Sequence, residues 1–438
     1  MVDVAEIKIW GEFVGAVRWD SDKQLASFAY HKKFLQKKWD LAPIKMPIDD
    51  GEIIYSFPEL RPSKNSENTF KGLPGLLADA LPDRYGNQLI NIWLAQNGRP
   101  ENSMNPVEQL CFIGKRGMGA LEFEPAQLKS NKKSFDIELD SLVDVAKNIL
   151  SKRKHFETNL NQDEQKALNE ILKIGTSAGG ARPKAVIAYN QKTGKIKSGQ
   201  VAAPEGFEQW LLKLDGVSNA QFGETYGYGR VEYAYYLMAI DCGIDMMPSK
   251  LLEENERAHF MTKRFDREKG NVKHHIQTFC GIQHYDYNNV TGYSYEQLYQ
   301  TMRLLRLTYP EAEQMFRRMV FNVLASNNDD HTKNFSFLLK KDSKWQLAPA
   351  YDLCYSYDPN SIWVSQHALS INGRRKNISR VDLLNIAKAN SIKNPNKIID
   401  EIKTIVCNWQ EYAKKAGVNR KLKDAITQNL ECFKLNCK

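Results

Sequence analysis

The sequence lacks several things whose absence narrows its class. No stretch of 18 uncharged apolar residues occurs in the 438 residues, which excludes a membrane-spanning helix. The seven cysteines (Cys111, Cys242, Cys280, Cys354, Cys407, Cys432 and Cys437) show no CxxC pairing, so neither a zinc ribbon nor a dense disulfide scaffold is expected. An odd, dispersed set predicts reduced thiols in a cytoplasmic protein. Glycine (26) and proline (16) are too few for a collagen or a flexible low-complexity chain. No run of five or six like charges marks a basic arm. The first residues, MVDVAEIKIW, have neither the basic start nor the apolar run of a signal peptide, so none is expected. No internal repeat is visible.

What is present is ordinary globular material. Hydrophobic residues make up 42% and charged residues 26%. At about 150 residues per domain, the length suggests two or three domains. The net charge of +9 is a mild bias that helps anionic partners approach and favours a solvated lysine-rich surface over a dedicated nucleic-acid groove.

The pattern divides the chain in three. Residues 1–125 carry strand signals: Ile7, Ile9, Trp10, Phe13, Val14, Val17 and Trp19 lie in stretches broken by Gly11 and Gly15, and Leu25–His31 forms a second stretch. Within this segment Tyr85–Leu94 has helical spacing, ended by Gly98 and Pro100. Residues 126–262 are mixed: a helix over 141–150, a glycine-rich loop running into Ala185–Tyr189, a buried strand in 207–216, a helix over 231–243 and two short strands in 251–268. From 263 to 438 helices dominate, with apolar stripes at Phe316–Leu324, Ile398–Trp409 and Leu422–Phe433. The predicted class is α+β: a bilobed protein with a β-rich N-terminal part and an all-helical C-terminal lobe. Clefts between lobes are preferred ligand sites.

Four segments carry chemistry. In Gly175-Thr176-Ser177-Ala178-Gly179-Gly180 the glycines allow a tight turn whose amides converge on a phosphate, and Arg182 and Lys184 add charge. It is not a Walker A loop, and a plain glycine-rich hairpin is the alternative. Lys213 sits in an apolar strand, where a charge needs a partner. A nucleotide kinase places such a lysine on the phosphates and holds it with a helix glutamate, here Glu232. An exposed first-turn glutamate and a harmless edge lysine are the alternatives.

The sharpest feature is Ser326–Asn334, SNNDDHTKN. Kinases place an aspartate and, five residues later, an asparagine on one loop. Asp329 and Asn334 have that spacing. Asp329 would accept the proton of the attacking hydroxyl, and Asn334 would ligate magnesium. His331 and Lys333 would face the nucleotide. Asp352 in LAPAYDL supplies the second magnesium ligand, unless it is a helix N-cap. His31, His155, His259, His284 and His367 are isolated and receive no role. His274 and His275 lack metal-ligand spacing.

Six ordered motifs, GLPGLLADALPDRYGN (72–87), IGKRGMGALEF (113–123), GTSAGGARPK (175–184), TKRFDR (262–267), DDHTKNFSF (329–337) and LAPAYDL (347–353), resemble the HipA family of bacterial toxin kinases over nearly the whole chain. The resemblance implies a kinase-like bilobed fold and a serine/threonine protein kinase using ATP and Mg²⁺. It implies a small helix-turn-helix antitoxin as partner and DNA contact only through that antitoxin. The family's targets imply an aminoacyl-tRNA synthetase as protein substrate, with growth arrest as outcome. Carried onto this sequence, Asp329 is the base, Asn334 and Asp352 hold magnesium, and Lys213 contacts phosphates. The backbone of Lys263, Arg264 and Phe265 would be the hinge against adenine, and Asp266 would reach the ribose. Ser177 would be the loop serine that some members autophosphorylate, where added negative charge repels ATP. The best-known member carries Gln-Glu where this chain has Arg182-Pro183. Residues 1–125 imply an unsplit member. The competing readings are a small-molecule or lipid kinase using the same residues, and a non-enzymatic co-repressor bound to an antitoxin.

Overall fold

A computed structural model describes residues 2–48, 53–62, 68–126, 136–137, 143, 146, 175, 182–199, 202–217 and 227–433. Of the helix expected over 141–150, Val143 and Ala146 are described, and both are helical; most of the glycine-rich loop (Thr176, Ser177, Ala178, Gly179 and Gly180) and His155 lie outside the described residues. Two compact units form: Met1–Ala42, Met46–Gly229 and Lys250–Ile276 in the first; Pro43–Lys45, Arg230–Ser249 and Gln277–Lys438 in the second. The first two of the three expected segments thus fall mainly within one unit.

The first unit holds two five-stranded sheets. One has the order β4-β3-β2-β1-β5, built from β1 (Val4–Ile9), β2 (Glu12–Asp20), β3 (Leu25–Tyr30), β4 (Ile54–Tyr55) and β5 (Leu121–Glu124). Alternation decides its inner face: Ile7, Ile9, Val14, Val17 and Phe28 are buried while Val4 is exposed. Ile9 pairs with Glu12. Trp10 and Gly11 therefore form a two-residue turn, both at positive φ as the right-handed twist of a hairpin demands. Gly15, expected to break a strand, lies inside β2. A Cβ there would come 2.1 Å from the Ala29 carbonyl oxygen, so β3 can approach only glycine.

The second sheet has the order β7-β6-β8-β10-β9, from β6 (Lys184–Tyr189), β7 (Ile196–Ser198), β8 (Glu208–Lys213), β9 (Ser249–Glu254) and β10 (Arg257–Lys263). β6 is an inner strand, paired on both sides, and buried along its length, as its apolar run predicts. The helix Arg84–Gln96 covers this sheet: Tyr85, Leu89 and Ile92 share a core with Ala185, Ile187, Trp210, Leu212 and Met261. Asp83 caps that helix by accepting from the Gly86 amide at 2.7 Å. Truncating a side chain such as Leu89 in this core would cost about 2–5 kcal/mol.

β11 (His275–Thr278) carries the chain from the first unit into the second. The second unit is largely helical. Its central helix Tyr309–Leu324 starts at a Thr308–Glu311 capping box and buries Phe316, Met319, Val320, Val323 and Leu324, the stripe expected from their spacing. The helix Pro395–Cys407 packs on it through Ile398 and Ile402. The unit is not purely helical. β12 (Tyr293–Ser294) pairs in parallel with β15 (Leu369–Ser370), and β13 (Ser336–Leu339) forms a hairpin with β14 (Trp345–Leu347). That hairpin separates the two functional segments, DDHTKN and YDL. Among the described residues no helix is long and apolar enough to cross a membrane, and the six described cysteines are free thiols.

Candidate active site

In the second unit the candidate site is built on the end of the helix Tyr309–Leu324. Beyond Ala325 the backbone turns through Ser326, at φ 53°, whose hydroxyl donates to the Asn429 carbonyl at 2.8 Å. The Asn328 amide N–H donates to the Ser356 carbonyl at 3.1 Å, and its side chain donates to the Val364 carbonyl. The loop is therefore laced to segments as far as 103 residues away. It is not an Asx turn capping a helix.

The two adjacent aspartates then part company. Asp330 is fully buried. Its carboxylate accepts from the Tyr295 hydroxyl (2.9 Å), the His367 Nδ1 (3.0 Å) and the Ala368 amide (2.7 Å). His367, which the sequence left without a role, thus helps to pin the loop. The Asp329 side chain keeps 41% exposure, with the His331 Nε2 3.8 Å from its Oδ1. Of the two carboxylates only Asp329 is open to an incoming hydroxyl.

One turn of 3₁₀ helix, Thr332–Asn334, follows. It brings the Asn334 Nδ2 to donate to the Asp329 carbonyl at 2.7 Å. That bond engages the nitrogen of the amide, and Oδ1 is the atom left for a cation. Asn334 and Asp352 line one cavity together with Arg318, Asn322, Asn327, Asp330 and Tyr351. No helix follows Asp352 directly, so it is not an N-cap; it sits at φ 56°, a conformation aspartate tolerates better than most residues. Tyr351 holds the two segments together by donating to the Lys333 carbonyl at 2.6 Å. The Lys333 ammonium lies 4.9 Å from the Tyr287 ring centroid, and His331 packs on the same ring.

Among the described residues no cluster of three or more His, Cys, Asp or Glu could hold a metal by itself. The donor set nevertheless suits magnesium. One carboxylate and one amide oxygen suffice when substrate phosphates and water complete an octahedron.

In the first unit, Gly175 stands at the base of the glycine-rich loop. A Cβ there would come 2.8 Å from Leu89 Cδ1 and 3.2 Å from Tyr85 Cε1, so the PDRYGN helix packs directly under it. Lys213 is the cross-strand neighbour of both Lys184 and Phe260. Two ammonium groups opposite each other on one face repel unless anions attend them. Lys184 has its anion: it is 3% exposed and lies 3.7 Å from the Asp83 Oδ2. That ion pair ties β6 to the helix that Asp83 caps. Arg182 stacks on Tyr228, 4.8 Å from its centroid. Glu232 is buried, which removes the exposed first-turn reading.

The charged groups of the segment Lys263–Asp266 are paired within the protein. Lys263 ion-pairs with Glu208 at 2.5 Å, and the Arg264 amide donates to the Gln209 carbonyl. The Asp266 side chain has 0% exposure. It accepts from Arg264 Nη2 (2.7 Å), Arg267 Nη1 (2.6 Å) and the Gly119 amide (2.8 Å). Burial alone would raise its pKa, but the two guanidinium groups outweigh it and hold the carboxyl well below the usual range. Asp266 is a clasp between TKRFDR and the KRGMGA turn.

The comparisons with known proteins follow this geometry. A family model described as the HipA-like C-terminal domain matches residues 176–423, and one described as the HipA N-terminal domain matches residues 5–124. The chain belongs to the HipA family. A solved structure of the Shewanella oneidensis MR-1 toxin–antitoxin system, HipA and HipB with operator DNA, contains a chain that superposes with a TM-score of 0.67 at 16% identity. The match covers 97% of this chain and 94% of that one. At that identity the likeness is one of fold, and it gives this HipA-family chain the mixed helix-and-sheet fold of that structure. A curated relative from Haemophilus influenzae, described as a putative kinase, is 29% identical over 134 residues, which are 28% of this chain. The match spans only 39% of that relative's length.

Proposed function

We propose that this HipA-family chain is an ATP-dependent serine/threonine protein kinase and the toxin of a toxin–antitoxin pair. One observation carries the reading. A half-exposed Asp329 is tied through its own carbonyl to Asn334, and Asn334 shares a cavity with Asp352. The fixed spacing of base and metal ligand is thereby maintained by a hydrogen bond.

In this reading Asp329 accepts the proton of a substrate serine or threonine hydroxyl. The new oxygen–phosphorus bond forms as the bond from the γ-phosphorus to the bridging oxygen breaks, and ADP leaves with that electron pair. Asn334 Oδ1 and the Asp352 carboxylate would hold magnesium, which when bound neutralises charge on the phosphate oxygens. Lys333 and Lys213 would contact phosphates, and the backbone of Lys263–Phe265 would border adenine. Asp330, Tyr295 and His367 do no chemistry; they keep the loop in place. Ser177 is the proposed autophosphorylation site. A small helix-turn-helix antitoxin is the proposed partner, and an aminoacyl-tRNA synthetase the proposed substrate class.

The test is phosphate transfer from radiolabelled ATP with magnesium to protein. Asp329→Asn should lower it by about 10²- to 10⁴-fold, the usual worth of a general base. Label in a solvent-extractable small molecule instead of protein would assign the same residues to a small-molecule kinase. DNA retention with a neighbouring helix-turn-helix protein should weaken steeply with salt.

A further inference from the structure

The cavity shared by Asn334 and Asp352 contains a feature the reaction does not use. Arg318, on the buried face of the helix Tyr309–Leu324, is 4% exposed and lines the cavity. Among the described residues its Nε–H meets no acceptor. A buried guanidinium donor without an acceptor is costly. Asn327 lines the same cavity, and its Oδ1 is likewise buried without a donor among the described residues.

The orientation of Asn327 is dictated from a distance. The Asp330 carboxylate can only accept, so the Tyr295 hydroxyl must donate to it, at 2.9 Å. The Tyr295 oxygen then accepts from Asn322 Nδ2 at 3.0 Å. This turns the Asn322 Oδ1 toward Asn327, which presents its Nδ2 at 2.9 Å. Asn327 has only its Oδ1 left to offer the cavity. The direction of every bond in this chain follows from the Asp330 carboxylate accepting at its end.

The occupant must accept from Arg318 and donate to Asn327. A metal cation cannot accept from an N–H, so a magnesium ion held by Asn334 and Asp352 would not be this occupant. An anion could not donate, and Asp330 and Asp352 line its other side. Water does both. The interior leaves about 10 Å³ for the centre of a water molecule, the room one water needs. We infer that this cavity is a hydration site for a single ordered water that bridges Arg318 Nε–H and Asn327 Oδ1, coupling the central helix to the loop that carries Asp329. Arg318 is then a positioning residue.

Two measurements test this without nucleotide, so their failure would leave the kinase reading untouched. A crystal structure of the full chain fine enough to place waters should show one density peak within hydrogen-bond distance of both atoms. No density between the two atoms, or an ion bridging them, overturns the inference. Thermal unfolding of Arg318→Met, Asn327→Leu and the double variant forms a cycle. Removing one partner strands the other, whereas removing both strands neither. The Tm loss of the double variant should therefore fall short of the sum of the singles by about 3 °C or more. Strict additivity overturns the bridge. If either variant does not fold, the crystal structure of the unaltered chain still decides.

Discussion

In the loop Ser326–Asn334 two consecutive aspartates have opposite surroundings: Asp330 is enclosed by Tyr295, His367 and the Ala368 amide, while Asp329 faces outward. In the segment Lys263–Arg267 of the other unit every ionised group is paired within the protein, and Asp266 is sealed between two arginines. Both segments read in sequence as dense charged motifs. The first leaves one carboxylate exposed beside two metal-type donors; the second spends its carboxylate on the fold. Charge density in a motif therefore marks a place where charges are organised, and burial decides which of them can react.

The strongest way to break this comparison is to exchange roles. Asp329→Asn should cut phosphate transfer by about 10²- to 10⁴-fold yet barely move Tm, because the side chain is half-exposed. Asp266→Ala should do the reverse. It strands two buried guanidinium groups and should cost about 3–5 kcal/mol of stability, read by denaturant unfolding.

Acid should sharpen the contrast further. Each unit holds a histidine that burial keeps neutral: His275, pushed down to about 4, whose Nε2 meets the Leu41 carbonyl, and His284, pushed down to about 3. Both lie below the unfolded value of about 6.5. The unfolded chain thus binds protons first, and stability should fall as pH drops from about 6.5 toward 4. His275→Gln and His284→Gln should each flatten part of that decline in a plot of Tm against pH. Asp266 acts at lower pH. Its carboxyl is depressed, so its contribution persists until pH falls below the ordinary carboxylate range of about 4.

The smallest effect concerns Tyr287. Its ring holds the Lys333 ammonium by a cation–π contact worth about 0.5–1 kcal/mol. Tyr287→Leu should raise the KM for ATP by about two- to fivefold with Tm nearly unchanged.

Much of this was legible from residue order. Alternation located β1–β3, the apolar run located β6, and the stripe Phe316–Leu324 located the central helix, because each is a local period set by burial. The spacing of Asp329 and Asn334 was legible for the same reason: one short loop brings them together. What escaped depends on partners distant in sequence. Nothing near Asp330 reveals that His367 and Tyr295 will enclose it. Nothing near Asp266 shows that the Gly119 amide will meet it, or that Asp83 will claim Lys184. The silent contribution of Arg318 is of the same kind. A helix stripe with one arginine looks like a solvated face until the loops that cover it are in place.

The most direct test of the central claim separates the base from the metal ligands. Calorimetric titration of ATP with magnesium into the full chain should give binding that Asp329→Asn retains and Asp352→Asn loses. Equal affinity in the unaltered chain and Asp352→Asn would contradict the account.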